Sequence, residues 1–551
     1  MKKTIARLVA AVAAAAPPAA YAESVLTALP LQLTAWVENY NPYSPATRLP
    51  SVQDFMFEPL FVFNTMQNAE PNFRLATGLA LSDDLKSLTV SLRDSVAWSD
   101  GEGFDANDVK FTYDMLKENR VLDLRNVWDL IEEVTILDDH TVRFDLKRPN
   151  SGIAYTIAQV YVVPKHIWND VDDPVTFTNA PNPVGSGPLT EIRRFTAQEY
   201  IQCRNPHYWD TDSLAVDCMR FPQIADNNQA LVAAAAGELD WFGSFLPDIE
   251  KTYVAEDPDN HKYWFPPGSL VFFAMNFETA NDGNRKAFND LAFRRAFSMA
   301  IDREAMVDIA GYGYPTINEY PSGLGRAFDA WNNPEVDEKY GAFSRYDAEA
   351  ASVALAAAGY ADRNGDGFVE TPDGDPIAFD ILVPNGWTDW VNTVQIAVEG
   401  LRDVGIDAKI ATPESPLWQE RLVSGGFDVS IDAHITGPDP FVQFDGVLHS
   451  RNQGRTRYAP TRYRNPELDR LLDSFYATAD RTEQEKIMDE IQMAIAADMP
   501  FVAVYNNPRW YEYNTRRFEG FFDADNPGAV PTVHDGQPER LLQLLALKPK
   551  E

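Results

Sequence analysis

Residues 377–383 read IAFDILV, 390–404 WVNTVQIAVEGLRDV, 406–411 IDAKIA, 417–424 LWQERLVS and 427–431 FDVSI. The first, third and fifth runs are short, apolar and rich in branched residues, which predicts strands. The second and fourth carry apolar residues at helical spacing and stop at Gly405 and Gly425-Gly426, which predicts helices. Strand, helix, strand, helix, strand is the order of a parallel sheet with helices packed on it, because parallel strands need a crossover between them. The class is therefore α/β. In open sheets of this kind ligands sit beyond the carboxyl ends of the strands. The segments at those ends are Pro384-Asn385-Gly386-Trp387 and 432–440, both polar and kinked, the first bearing a tryptophan.

Working outward, residues 285–310 predict a helical region with Phe288, Leu291, Phe297, Ile301 and Val307 facing a core. Residues 482–498 predict a helix that opens on a Thr482/Glu485 capping box. Towards the N-terminus, Leu88, Val90 and Leu92 alternate with polar residues, as do Val142, Phe144 and Leu146. A strand at 134–137 and a helix at 106–118 complete an α+β region over 51–180.

The first residues predict export. Lys2, Lys3 and Arg7 surround the start of an apolar run from Ile5 to Ala16, broken by Pro17-Pro18 and followed by Ala20-Tyr21-Ala22, a small-x-small cleavage pattern. The run is too short to span ~30 Å of hydrocarbon. Cleavage would leave roughly 530 residues, two to four domains at ~100–200 residues each. No cysteine stands near the cleavage site to carry a lipid, so the exported chain is expected untethered, in a closed compartment such as a Gram-negative periplasm. The net charge of −35 excludes nucleic acid and anionic membrane surfaces as partners and keeps copies of the chain apart. The two cysteines, Cys203 and Cys218, flank a turn. They are either a cross-strand bridge, worth roughly 3 kcal/mol on the loop-entropy model, or two buried thiols.

Catalytic signatures are absent from the sequence: no His-Glu-x-x-His, nucleophile elbow, Walker loop or Cys-x-x-Cys, and seven scattered histidines. A glycosidase carboxylate pair is the one enzymatic alternative that spacing does not address. Residues 362–373 have metal-ligand spacing. Asp362, Asn364, Asp366, the Phe368 carbonyl and Asp373 stand at positions one, three, five, seven and twelve of a calcium loop, with Gly367 at six. The segment reads either as a calcium loop, whose ion would be structural, or as a solvated acidic turn.

Twelve tryptophans are many for so acidic a chain. Trp98, Trp128 and Trp168 lie in apolar patterns and read as core. Trp36, Trp241, Trp264, Trp387, Trp390 and Trp510 lie at strand ends or in loops, with Asn39, Asn41, Asn276, Asn385, Asp389, Asn506 and Asn507 near them. Aromatic platforms ringed by hydrogen-bonding groups suit sugars, whose rings have flat C–H faces edged by hydroxyls.

Several motifs resemble one family, in order, over nearly the whole chain: VSLRDSVAWSDG at 90–101, ANDVKF at 106–111, NPVGSGP at 182–188, NPHYW at 205–209, FRRA at 293–296 and AIDR at 300–303. The chain resembles the family-5 extracellular solute-binding proteins, the dipeptide, oligopeptide and nickel receptors of ABC importers. The resemblance implies a two-lobed binding-protein fold hinged around its ligand. Lobe I would combine 23–50, 180–268 and 502–551, with 51–179 as an added subdomain; lobe II would be 269–501. It implies a monomer that delivers a small molecule to an inner-membrane ABC permease. Peptide-binding relatives grip the ligand's α-amine with an acid in a segment resembling Asp-Tyr-x-x-Pro; the comparable place here holds Thr436. The segments 384–390 and 505–511 are instead similar to members that bind β-linked oligosaccharides. The expected ligand is therefore an oligosaccharide, with a peptide as the alternative. The expected site is Trp36, Asn41, Trp241, Asn276, Asn385, Trp387, Trp390, Asp439 and Trp510.

Overall fold

The computed structural model describes residues 23–44, 48–434 and 436–550; the leader expected over 1–22 lies outside them. Among the described residues two large sheets organise the chain. One has seven strands in the order His261–Tyr263, Glu512–Asn514, Trp241–Phe242, Val25–Leu29, Cys218–Pro222, Glu199–Arg204 and Leu189–Phe195. The other has six: Thr316–Ile317, Val502–Pro508, Pro267–Met275, Val429–Ala433, Ala378–Leu382 and Asp407–Ala411. Each anchors one lobe.

The stretch that opened the analysis folds as its pattern predicts. Ala378–Leu382 lies parallel to both Asp407–Ala411 and Val429–Ala433. The helices Thr388–Asp403 and Ser415–Ser424 cover the sheet. Val394, Ala397, Leu401, Trp418 and Leu422 join Ile381 and Ile431 in one apolar cluster. Burying each large apolar side chain contributes about 1.5–3 kcal/mol, so this face alone holds the helices on the strands.

The four strands Ala76–Leu81, Ser87–Leu92, Thr141–Leu146 and Ile131–Asp138 form an antiparallel sheet, backed by the helix Ala106–Glu118 with an Asp105/Asp108 capping box. Trp98, Trp128 and Trp168 are buried in a single apolar cluster that this unit shares with the seven-stranded sheet.

Three expectations change. The strand Val502–Pro508 belongs to the six-stranded sheet, where Asn506 faces Leu270 and Tyr505 faces Val271, so the chain returns to lobe I after Pro508 rather than at 502. The helix expected from Thr482 starts on Asp480, whose carboxylate accepts from the Thr482 and Glu483 amides at 2.9 and 3.1 Å; Glu485 pairs with Arg481 instead. A carboxylate upstream satisfies the same free amides that the box would have served. The helical region 285–310 is broken into segments by the caps Asp290 and Asp302. The choice left open for the cysteines is settled by register: Cys203 stands directly opposite Cys218 in an antiparallel pair, and the two are bridged.

The lobes are joined where the chain crosses at 264–266 and again at 509–511. The crossings run side by side. The Arg509 amide donates to the Pro266 carbonyl at 2.8 Å and the Trp264 amide to the Tyr511 carbonyl at 3.0 Å. Gly268 allows this approach, since a Cβ there would lie 2.3 Å from the Asn507 carbonyl oxygen.

Lobe I is closed by its C-terminal helix, Arg540–Ala546. Arg540 is fully buried and donates to Asp54 at 2.7 Å and to the Pro50, Gln53 and Val533 carbonyls; Asp54 also accepts from the Tyr161 hydroxyl. Arg540→Met leaves Asp54 as an uncompensated buried charge, and breaking such a pair costs about 3–5 kcal/mol. Denaturant unfolding should show that loss, with part of it recovered in Arg540→Met/Asp54→Asn. A single mutant within about 1 kcal/mol of the parent contradicts it.

Candidate site in the interlobe cleft

Because 378–382, 407–411 and 429–433 run parallel, their carboxyl ends gather the loops 383–387, 412–414 and 436–439 at one edge of lobe II. Lobe I meets that edge along two seams. In the first, the Asn227 amide donates to the Gly386 carbonyl at 3.3 Å and its side chain to Thr388 Oγ1 at 3.2 Å; a Cβ on Gly386 would lie 2.9 Å from Asp226 Cβ. In the second, the Tyr155 hydroxyl donates to the Thr436 carbonyl at 3.1 Å, the Ser151 amide to the Tyr476 carbonyl at 2.7 Å, and Arg148 pairs with Asp473 at 2.6 Å. The lobes are thus closed on each other, with the strand-end loops between the seams.

Trp387 is the predicted residue that fits a cleft wall best. Its ring is half-buried and lies 5.0 Å from Trp390 and 5.8 Å from Trp418 in tilted and edge-on contacts. Trp390 and Trp418 are buried behind it, and Trp418 is fixed by its indole N–H on Ser430 Oγ at 2.9 Å. Asn385 lies beside this group and donates to Glu414 at 3.1 Å. Asp439 caps the helix Pro440–Leu448 through the Phe441 amide and accepts from the Tyr476 hydroxyl at 2.7 Å. Burial pushes its carboxyl up to about 6.

The other predicted residues are not brought to this edge as free groups. Trp36 donates to the Phe221 carbonyl and packs edge-on against Tyr200. Trp241 is fully buried and donates to the Pro531 carbonyl. Asn41 donates to the Pro174 and Phe177 carbonyls, and Asn276 to those of Gly425 and Phe427. These four are consumed by packing and by turn carbonyls, because amphipathic residues at strand ends seal cores as readily as they line clefts. Trp510 sits at the hinge, edge-on to Phe245, Phe265 and Tyr314. Conversely, the sequence reading missed Trp418, Asp432 and Arg457. Trp418 is concealed in a helix, and the other two meet only through folding.

The 362–373 loop lies apart from the cleft. Asp362 accepts from the Gly365 and Gly367 amides and Asp366 from that of Phe368. Carboxylate oxygens of Asp362, Asp366 and Glu370 lie within 4.8 Å of one another. Asp373, expected as the last ligand, instead pairs with Lys286 at 2.8 Å. The chain turns at 370–376 through bridges of Glu370 with Ala361 and Pro376, which directs Glu370 inward and Asp373 away. Oxygens from these three acids suit a hard cation. Calcium should raise the melting temperature of the parent by linked binding, and Asp366→Ala should abolish that rise. An equal response in both proteins assigns the loop to an acidic turn.

Asp389 carries the pH dependence of the first seam. Burial pushes its carboxyl up to about 6, against the pull of backbone amides and Asn227. Exposed to water, Asp389 would release its proton near pH ~4, whereas the buried carboxyl keeps it up to about 6. Where opening exposes this group, closure is opposed progressively as pH rises from about 4 to about 6, and no further above that. Affinity for a closing ligand should then weaken from about pH 4 to about pH 6 and level off above, and this step should shrink in Asp389→Asn when titrated calorimetrically at each pH.

Residues 70–455 match the family model for bacterial extracellular solute-binding proteins, family 5, middle region. Protein XP55 of Streptomyces lividans is 28% identical over 448 residues, 80% of this chain and 77% of that protein. The oligopeptide-binding protein AppA of Bacillus subtilis is 26% identical over 475 residues, 81% and 82% of the two chains. Among solved structures, a periplasmic oligopeptide-binding protein of Thermotoga maritima, in complex with mannohexaose, superimposes with a TM-score of 0.87 at 24% identity, over 96% of this chain and 99% of that one. The family match spans most of the described sequence and the two-lobed architecture agrees with it: the chain belongs to the family-5 bacterial extracellular solute-binding proteins.

Proposed function

We propose that this substrate-binding component of an ABC importer captures an oligosaccharide in its cleft, in the periplasm after export, and hands it to its permease. The observation that carries the reading is the half-buried Trp387, backed by Trp390 and Trp418, at the strand ends of lobe II. Such a ring offers a flat apolar face to the C–H side of a sugar. The amine-gripping position supports the same reading. Thr436 stands there, its Oγ1 accepting from Arg509 at 2.9 Å and its carbonyl from Tyr155. Asp439, the nearest acid along the loop, is committed to a helix cap and to Tyr476. Among the described residues 436–439 a peptide's ammonium group therefore meets no free carboxylate. The mannohexaose carried by the Thermotoga protein is consistent with a sugar; the nonapeptide carried by Bacillus AppA, with a TM-score of 0.78 at 20% identity, is the competing precedent.

The reading predicts lobe closure without turnover. A ligand shifts the open–closed equilibrium only through its differential contacts with the two states. Calorimetry against mannohexaose, cellohexaose and a nonapeptide should show binding to a hexasaccharide, which chromatography should recover intact. Trp387→Ala should weaken that binding about thirtyfold or more, the ~2 kcal/mol typical of a central aromatic anchor, with its melting temperature little changed. Binding of the nonapeptide alone selects the peptide reading, and cleavage of the sugar selects a hydrolase.

A further inference from the structure

The loop between Asn452 and Thr461 spans the cleft. Its Arg455 donates to Asn126 Oδ1 at 2.8 Å and lies 3.6 Å from Asp129, both on the subdomain of lobe I. Two residues later Arg457 turns to the strand ends of lobe II. Its Nη1 donates to Asp432 Oδ1 at 2.8 Å, and its guanidinium lies 5.2 Å from the Trp418 ring centre and 4.0 Å from that of Tyr458. Asp432 is wholly buried at the carboxyl end of Val429–Ala433. Its Oδ1 also accepts from the Ala433 amide, and its Oδ2 is buried without a hydrogen-bond partner.

This pair differs from the structural one at Arg540 and Asp54. There both side chains are sealed, and Arg540 distributes its donors over several protein oxygens. Here the carboxylate is sealed, but the Arg457 side chain keeps 24% of its exposure. A guanidinium has five N–H donors; Asp432 and Tyr458 engage part of them, so donors remain on a side chain that is partly exposed. A buried carboxylate left half satisfied is costly, and such a defect belongs where a ligand is met rather than where a core is held. The hydrogen bond to Asp432 and the ring of Tyr458 at 4.0 Å hold the guanidinium in place, which is how a contact group is pre-organised.

Resting on the oligosaccharide reading above, we infer that Arg457 is a ligand-contacting residue, which donates to sugar oxygens beside the Trp387–Trp418 wall. Asp432 is its positioning residue. Since the two charges offset each other, the pair suits an uncharged sugar.

The test is calorimetry on the parent, Arg457→Gln, Arg457→Lys, Asp432→Asn and Arg457→Gln/Asp432→Asn with mannohexaose, cellohexaose and the nonapeptide, beside melting curves for each. Arg457→Gln should weaken binding at least about tenfold while melting within a few degrees of the parent. Arg457→Lys should not restore affinity, since an ammonium cannot reproduce the planar fork. Asp432→Asn should weaken binding, and the double mutant should be no weaker than Arg457→Gln, because Asp432 acts through Arg457. Arg457→Gln binding within twofold of the parent, or lowering only the melting temperature, overturns the assignment. If the parent binds the nonapeptide and neither sugar, the oligosaccharide reading fails, while Arg457 is judged by the same factors on the peptide.

Discussion

Everything that this protein does as a trap depends on two short crossings held side by side. The hydrogen bonds from Arg509 to Pro266 and from Trp264 to Tyr511, with Gly268 leaving room for the Asn507 carbonyl, make one narrow two-stranded link between the lobes. A two-stranded link bends readily across its plane and resists being pulled apart. Its aromatic surroundings are supplied by both lobes and both crossings: Phe245 from lobe I, Tyr314 from lobe II, and Phe265 and Trp510 from the crossings themselves. Edge-on aromatic contacts are worth ~0.5–1.5 kcal/mol each and have broad geometry. They can stay in contact through a rotation that would break a set of hydrogen bonds.

The lobes on either side are built to move as bodies. In lobe I one large apolar cluster runs from the seven-stranded sheet into the four-stranded subdomain and a smaller one gathers Leu29, Phe242 and Tyr253; lobe II buries two large clusters and a small one around Val336 and Tyr340. Among the described residues no large apolar cluster is shared by the two lobes, apart from Tyr314 of lobe II packed against the smaller cluster of lobe I. The seams are polar instead: Asn227 on Gly386 and Thr388, Tyr155 on Thr436, Arg148 on Asp473. Hydrogen bonds of this type contribute little net free energy each, since water replaces them on opening. Closure is therefore a balance that a ligand bridging the lobes can tip.

Within the cleft, the proposed recognition group is assembled from residues of lobe II that are far apart in the chain. Trp387 follows the first parallel strand, Trp418 belongs to the helix after the second, Asp432 lies at the end of the third, and Arg457 returns on a loop that reaches lobe I. The parallel sheet fixes the first three on one edge, and the loop brings the fourth over them. Arg509 joins the hinge to this arrangement, donating to Thr436 of lobe II and to Gln537 of lobe I.

The alternation of apolar runs over 377–431 was sufficient to read the parallel sheet, its helices and the strand-end position of Trp387, because period and crossover length are local properties of the chain. Capping was less legible: Asp480 took the role assigned to Thr482, since two nearby oxygens competed for the same amides. The partner of Cys203 and the strand Val502–Pro508 waited on register, which is set between strands rather than within them. The tryptophans show the limit most clearly. Trp36, Trp241 and Trp387 all stand at strand ends or in loops, yet only the fold decides which ring is sealed against Tyr200 or beneath Pro531 and which is left half-open beside a cleft. Glu370 replaced Asp373 in the acidic loop for the same reason, as a chain turn reversed which acid faces inward. The sequence by itself determined the class, the order of elements and the family. The tertiary structure alone decided which side chains share a surface, because burial and pairing depend on contacts between residues such as Asp432 and Arg457 that no local pattern encodes.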